Sequence, residues 1–327
     1  MRAAVLCRVE MTAIVTDNLT KRFGDLVAVD GLDMTVERGE VFGFLGPNGA
    51  GKSTTINMLL GFLDPTSGSA SVLGEDVVSD SIDLRTRIGV LPEGFSPYDR
   101  LTAREHVAYA GGIKNCDPDV EALLERVGLQ REAWDRKAGG YSKGMCQRLA
   151  LATALVGDPE LLLLDEPSSG LDPEGMADMR DLIRSEAESG TTVFFSSHIL
   201  SEVEAVCDRI AILRDGNLSA LGTLDDLRAG TVTQVPMALS VEEVPGGIAG
   251  SLADLDAVRT ATVEDSTIRV ELDDPAHKID IINYVDERTG IEDVIAEAAS
   301  LEAMFERYAN GADQTADDAA ERAEVTA

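Results

Sequence analysis

The chain has 327 residues, enough for two ordinary domains, and sets 59 Asp+Glu against 28 Lys+Arg, a formal net charge of −31. Such a surface repels phosphate backbones, so no nucleic-acid partner is expected. The carboxylates are spread along the whole sequence, so the excess reads as the high-salt adaptation of a halophile-like proteome rather than one acidic binding patch.

No apolar run, Leu161 to Leu164 included, approaches the ~18–20 residues of a membrane span. The first ten residues lack the apolar stretch of a signal peptide, so the expected location is the cytoplasm. The ordered pattern begins just after Met11, and either Met1 or Met11 can be the start. Cysteines at 7, 116, 146 and 207 form no C-x-x-C pair, and three histidines are present; no zinc site is expected.

Residues 12 to about 228 alternate between strand-patterned and helix-patterned segments, which predicts an α/β domain. Short strands are expected in AIVTDNLT, GLDMTV and EVFGFL. The last runs into GPNGAGKST, Gly46 to Thr54, and then a helix beginning KSTTINMLL. This fits the phosphate-loop pattern G-x-x-x-x-G-K-[ST] in its strand–loop–helix setting. The glycines let backbone N–H groups close around phosphate oxygens. Lys52 brings charge to the β and γ phosphates, and Ser53 offers a hydroxyl to Mg²⁺.

From about 95 to 155 the pattern turns helical, which predicts a helical subdomain inserted into the α/β core. LTAREHVAYAGG opens on a capping box between Thr102 and Glu105, and DVEALLERVGL has helical spacing with a Gly stop. YSKGM then sets Ser142 and Gly144 at the mouth of another helix. Alone, it is an ordinary N-cap; it is also how a chain presents N–H groups to an anion.

LLLLDEP ends an apolar strand on Asp165 and Glu166. Burying two carboxylates is costly unless they face a cation or a reacting water. Asp165 suits Mg²⁺, through water. Glu166 suits a general base for the water that attacks the γ-phosphate. The strand TVFFSS leads to His198, within reach of the same phosphate. RDGNLSALGT reads as strand, Asp-Gly turn and strand. Residues 233 to 309 are expected to form a small α+β accessory domain, and the Ala- and acid-rich 310–327 a disordered tail.

Over residues 12 to about 228 these motifs resemble the ATPase subunit of an ATP-binding-cassette (ABC) transporter. The resemblance implies a P-loop NTPase core of that type and a Mg²⁺-dependent ATPase. It implies that the loop residues Gly46, Pro47, Asn48, Gly49, Ala50, Gly51, Lys52, Ser53 and Thr54 bind nucleotide, and that Phe23, in KRFG, stacks on adenine. ATP is favoured over GTP, because no N-K-x-D motif is present. YSKGM resembles the family signature Leu-Ser-Gly-Gly-Gln, with Lys143 and Met145 as departures. SSGLD resembles the D-loop, with Asp172 its acid, and SSHIL the switch-histidine motif. Glu93 stands where the family more often has Gln, and with Ser53 and Asp165 would reach Mg²⁺.

In that family two subunits pair head to tail, each nucleotide held between one phosphate loop and the other subunit's signature helix. Ser142 and the Gly144 N–H would then hold the partner's γ-phosphate. The departures at 93, 143 and 145 resemble the branch serving exporter-type permeases, as does SLEAMFERY. A second, identical subunit and a separately encoded multi-span permease are the implied partners, the latter docking near Phe95 to Arg104 with Tyr98 and Leu101 as contacts. The alternative is a soluble ABC-type ATPase without a transport role. Repair ATPases of that kind need a long coiled-coil insertion, for which the interval between Lys52 and Asp165 leaves no room.

Overall fold

Two long strands, β1 (Thr12–Phe23) and β2 (Leu26–Glu37), open the chain as an antiparallel hairpin. The structure, a computed structural model, describes residues 11–78, 82–231, 235–255, 257–264, 266–272 and 275–296. They divide into two units parted between Thr223 and Leu224. SLEAMFERY and the 310–327 tail lie outside the described residues.

In the first unit, β3 (Val41–Leu45) is buried at every position, as a central parallel strand covered on both faces must be. It is followed by α1 (Lys52–Leu59), β4 (Ser67–Val72), β5 (Glu75–Asp76), α2 (Ile82–Thr86) and β6 (Ile88–Leu91). The helical segment comprises α3 (Ala103–Lys114), α4 (Val120–Arg126), α5 (Arg131–Trp134) and α6 (Lys143–Ala154). The Thr102–Glu105 capping box is present at the start of α3, as expected. The chain returns to the sheet with β7 (Leu161–Asp165), α7 (Pro173–Glu188), β8 (Thr192–Ser197), α8 (Leu200–Val206), β9 (Arg209–Arg214) and β10 (Asn217–Thr223).

The strands form a four-stranded sheet in the order β2-β1-β4-β5 and a six-stranded sheet in the order β10-β9-β3-β8-β7-β6. One core joins Ile14, Leu19 and Leu32 of the first sheet to Met58 of α1 and to Phe44, Leu163 and Phe194 of the second. Phe194 anchors it, its ring centroid 5.1 Å from Phe44 and 5.7 Å from Phe42. Burial of each such side chain contributes about 1.5–3 kcal/mol.

The entrance to β7 is pinned by charge. Glu160 accepts hydrogen bonds from Arg87 Nε at 2.6 Å and from Arg38 Nη1 at 2.6 Å. The Arg87 hydrogen bond, supported by Arg38 and opposed by desolvation, lowers the Glu160 carboxyl to about 2. A depressed carboxyl contributes stability that is complete above its unfolded value and is lost as pH falls through the folded one. Glu160→Gln should therefore cost about 0.5–1 kcal/mol near neutrality, since the group is part-exposed and solvent screens the pair. In urea unfolding followed through Trp134, the gap between the two proteins should close as pH falls from the ordinary carboxyl value of 4.5 towards 2.

The second unit begins with α9 (Leu224–Thr231). It continues as β11 (Val235–Val241), α10 (Ile248–Ala253), β12 (Val258–Glu264), β13 (Thr267–Leu272), α11 (Lys278–Asp286) and β14 (Ile291–Ala296). This βαββαβ succession forms an antiparallel sheet in the order β12-β13-β11-β14, the ferredoxin-like arrangement. Leu239, Ile268, Val270 and Leu272 of the sheet pack against Leu252 of α10 and Val285 of α11.

Candidate nucleotide site

Three strand ends meet at the site. β3, β8 and β7 are adjacent and parallel, so their carboxyl ends lie side by side, the edge at which α/β sheets bind ligands. β3 delivers the loop 46–51, β8 delivers Ser196, Ser197 and then His198, and β7 delivers Asp165 and then Glu166. β6, on the far side of β7, leads to Glu93.

The loop enters α1 through Gly51, at φ 106°; a Cβ there would lie 2.5 Å from the Ala28 carbonyl oxygen. Only glycine closes the loop this tightly under β2. The amides of the first turn of α1 have no acceptor within the helix, and the helix dipole adds partial positive charge, a fit for phosphate. A cleft of about 580 Å³ opens above them. Pro47, Asn48 and Gly49 line it with Gly51, Lys52, Ser53 and Thr54. Gly46 and Ala50 lie underneath, Gly46 donating its N–H to the Ser197 carbonyl at 3.3 Å and Ala50 being buried. Phe23, Leu26 and Ala28 wall the other side, and Glu93, Glu166 and Asp215 complete the lining. The half-exposed Phe23 ring has Lys21 Nζ 5.2 Å from its centroid, and offers the flat apolar surface a purine base stacks on.

Lys52 is 6% exposed. Its ammonium donates to the Gly46 carbonyl at 2.7 Å and to the Pro47 carbonyl at 3.3 Å, and lies 3.2 Å from Glu166 Oε1. Glu166 is 7% exposed and sits at φ 51°, a left-handed conformation that non-glycine residues seldom adopt. Its Oε2 lies 2.8 Å from His198 Nδ1. An ionised carboxylate only accepts, so Nδ1 carries the proton in this contact. Oε1 takes no hydrogen bond, the Lys52 contact being ionic without directed geometry. It is thus a buried acceptor that faces the Lys52 ammonium. Asp165, 6% exposed, accepts from Ser196 Oγ at 2.6 Å.

Among the described residues no group of three or more His, Cys, Asp or Glu could hold a metal ion. Mg²⁺ is bound by one or two carboxylates together with phosphates and water. Ser53 and Glu93 line the cleft and Asp165 is buried at the end of β7; all three offer oxygen atoms, the ligand type Mg²⁺ takes.

Ser142, Gly144 and Asp172 do not line this cleft. Ser142 is exposed and caps α6, its Oγ accepting from the Met145 N–H at 3.3 Å. Asp172 caps α7, Oδ1 accepting from the Gly175 N–H at 2.8 Å. The two helix mouths adjoin: a Cβ on Gly144 would lie 3.8 Å from Leu171, and Lys143 lies against Gly170. They form one surface carrying backbone donors and no triphosphate loop of their own. Ser196 and Asp215 escaped sequence reasoning. Asp215 was visible only as half of a turn, and Ser196 only as a neighbour of His198.

A second concavity, of about 520 Å³, is apolar. It lies between Leu59 of α1 and Phe62 just after it, Ile88 and Val90 of β6, and Ala110 and Ile113 of α3. Phe62 and Ile113 are 68% and 69% exposed. Tyr98 is exposed too and stacks on His106, with ring centroids 5.9 Å apart.

A phosphate loop at a parallel sheet edge, facing a buried carboxylate, defines a P-loop nucleotide hydrolase. A profile of the ABC transporter family matches residues 29–169. The chain is 46% identical over 213 residues to the bacitracin transport ATP-binding protein BcrA of Bacillus licheniformis, covering 63% of this chain and 68% of that one. It is 41% identical over 225 residues to the daunorubicin resistance ATP-binding protein DrrA3 of Streptomyces coeruleorubidus, covering 67% and 71%. Among solved structures, an ATP binding subunit of an ABC transporter superposes with TM-score 0.61 at 30% identity, over 67% of this chain and 93% of that one. The dimeric post-hydrolysis state of the ATP-binding cassette MJ0796, bound to ADP and Pi, superposes with TM-score 0.59 at 25% identity, over 64% and 98%. The chain belongs to the ABC transporter family, as an ATP-binding and ATP-hydrolysing subunit.

Proposed function

We propose that this ATPase energises an exporter-type permease encoded as a separate chain, working as a head-to-tail homodimer on the cytoplasmic face of the membrane. The observation that carries the reading is the division of the phosphate-binding parts. Lys52 and Glu166 line one cleft, with His198 against the far oxygen of Glu166, whereas the Ser142–Gly144 mouth and the Asp172 loop lie together outside it. A second copy would bring its mouth over the cleft and complete the γ-phosphate cage. Hydrolysis removes the shared phosphate and releases the pair.

Within that cage Phe23 stacks on adenine, the 46–54 loop holds the phosphates, and Ser53, Glu93 and Asp165 reach Mg²⁺. The ion's chemistry, when bound, is to neutralise charge developing on the phosphates. Glu166 takes the proton of the attacking water, and His198 holds its other oxygen. The similarity to the bacitracin transport and daunorubicin resistance proteins supports the exporter branch and a drug-class cargo. The acidic surface points to a high-salt proteome.

The permease dock is the Phe62–Ile113 groove, extended by the exposed Tyr98 towards the Phe95–Arg104 segment. An amphipathic permease helix fits a groove of this kind. Ile113→Glu should abolish co-purification with a co-expressed cognate permease, while ATP turnover of the isolated subunit stays within about twofold, since the groove is not part of the nucleotide cleft. Co-purification at the unaltered yield would remove the groove from the proposal. Failure of the unaltered chain to bind or respond to that permease would remove the transport role.

A further inference from the structure

We infer that Ser196 is a positioning residue that ties the two acids of the site together. Its side chain is 0% exposed. Parallel pairing of β7 with β8 sets Asp165 opposite Ser196. The hydroxyl donates to Asp165 Oδ1 at 2.6 Å and accepts the Glu166 backbone N–H at 3.0 Å. A hydroxyl has one proton and two lone pairs, so both bonds form at once, with fixed direction.

The two ends of this bridge do different things. Towards Asp165 it satisfies one oxygen of a buried carboxylate and fixes which oxygen is left for other partners. Towards Glu166 it pins the backbone of a residue held at φ 51°, in the left-handed region. Such conformations persist where surrounding contacts over-determine them. The next residue of β8 is anchored independently: Ser197 Oγ donates to the buried Glu202 at 2.7 Å and accepts the Ile199 N–H at 3.0 Å. Ser196 therefore orients Glu166 from below through its amide, while His198 holds its carboxylate from the side. An apolar residue at 196 would leave Glu166 N–H and Asp165 Oδ1 without this partner inside a dry core.

The inference rests on Glu166 being the general base, and the test separates the two. Ser196→Ala, Ser196→Thr, Glu166→Gln and the Ser196→Ala/Glu166→Gln double variant are compared in four readouts. These are kcat, KM for ATP, Mg²⁺-free ATP binding in EDTA, and hydrogen–deuterium exchange of the peptide containing Glu166. Ser196→Ala should lower kcat about 10- to 100-fold, the scale of an orphaned buried donor and acceptor. KM and EDTA binding should stay within about twofold, and exchange over Glu166 should quicken while β3 and β9 stay protected. Ser196→Thr, which keeps the hydroxyl, should retain at least a third of kcat. In the Glu166→Gln background Ser196→Ala should change residual turnover less than about threefold, because a residue acting through another adds little once that one is gone.

An unchanged kcat in Ser196→Ala beside an inactive Glu166→Gln overturns this inference alone. So does a loss that multiplies fully with Glu166→Gln, or an equal loss of EDTA binding. Normal turnover by Glu166→Gln overturns the reading beneath it. Should Ser196→Ala not fold, Ser196→Cys, close in size and a weaker donor, is read by the same criteria, and an unchanged kcat and exchange rate there count against the bridge.

Discussion

Glu166→Gln should leave ATP binding intact or tighter and lower turnover by about 10²–10⁴-fold, the range a positioned general base contributes. The substitution keeps shape and removes one proton acceptor and one negative charge. Three features of the site set the direction. Glu166 is 7% exposed, so its basicity is spent in a water-poor environment. Its Oε2 is engaged by His198 Nδ1 at 2.8 Å, and its Oε1 is buried without a hydrogen bond. Oε1 also faces Lys52 Nζ at 3.2 Å, so in the charged form it competes with phosphate for the same ammonium. A neutral amide ends that competition. ATP should then hold two copies together without being consumed, and size-exclusion chromatography with ATP should show a dimer that persists for hours, against a transient one for the unaltered chain. Phosphate release near the unaltered rate would show that some other group takes the proton.

The parts of this site that could be read from sequence are those whose chemistry is local. GPNGAGKST is a contiguous loop, and its glycines announce a backbone that must close tightly, as the Gly51 contact with Ala28 bears out. LLLLDEP declares a buried strand by its continuous apolar run, and the structure buries all of Leu161–Asp165. Less legible were elements whose identity is set by distant partners. AIVTDNLT and GLDMTV read as two short strands, yet β1 and β2 each run 12 residues. Their alternation is broken where the pairing register shifts, between Thr16 and Leu19 and again around Lys21, so the period of two fails inside a continuous strand. β4, Ser67–Val72, has the Ser- and Gly-rich sequence SGSASV and was not among the expected strands. Gly68 is there because β1 crosses closely: an added Cβ would collide with the Asn18 carbonyl. In the second unit α10 and α11 are short and were not separated from the strands around them. Ser196 shows the limit most clearly, since its meaning depends on a strand neighbour 31 positions away.

Lys52→Ala should weaken ATP binding by roughly 30- to several-thousand-fold, the equivalent of about 2–5 kcal/mol for truncating one member of a buried charge pair. The expectation is sharper here than in a neutral protein. The chain carries a formal net charge of −31, so its long-range field opposes an anionic ligand. Salt screens that field beyond a Debye length of about 8 Å at physiological ionic strength, but attraction inside the cleft has to come from the first turn of α1 and from Lys52. Removing the ammonium also strands Glu166, whose carboxylate then faces incoming phosphate with no cation between them. Two measurements follow by titration with a fluorescent ATP analogue. Lys52→Ala should lose affinity at every ionic strength, because the missing contact is short-range and buried. Adding Glu166→Gln to Lys52→Ala should recover roughly tenfold or more of that loss, since the uncompensated charge is gone. If Lys52→Ala binds within about threefold of the unaltered chain, the helix mouth alone holds the phosphates. If the double variant recovers nothing, the 3.2 Å contact between Lys52 and Glu166 has no weight in nucleotide binding.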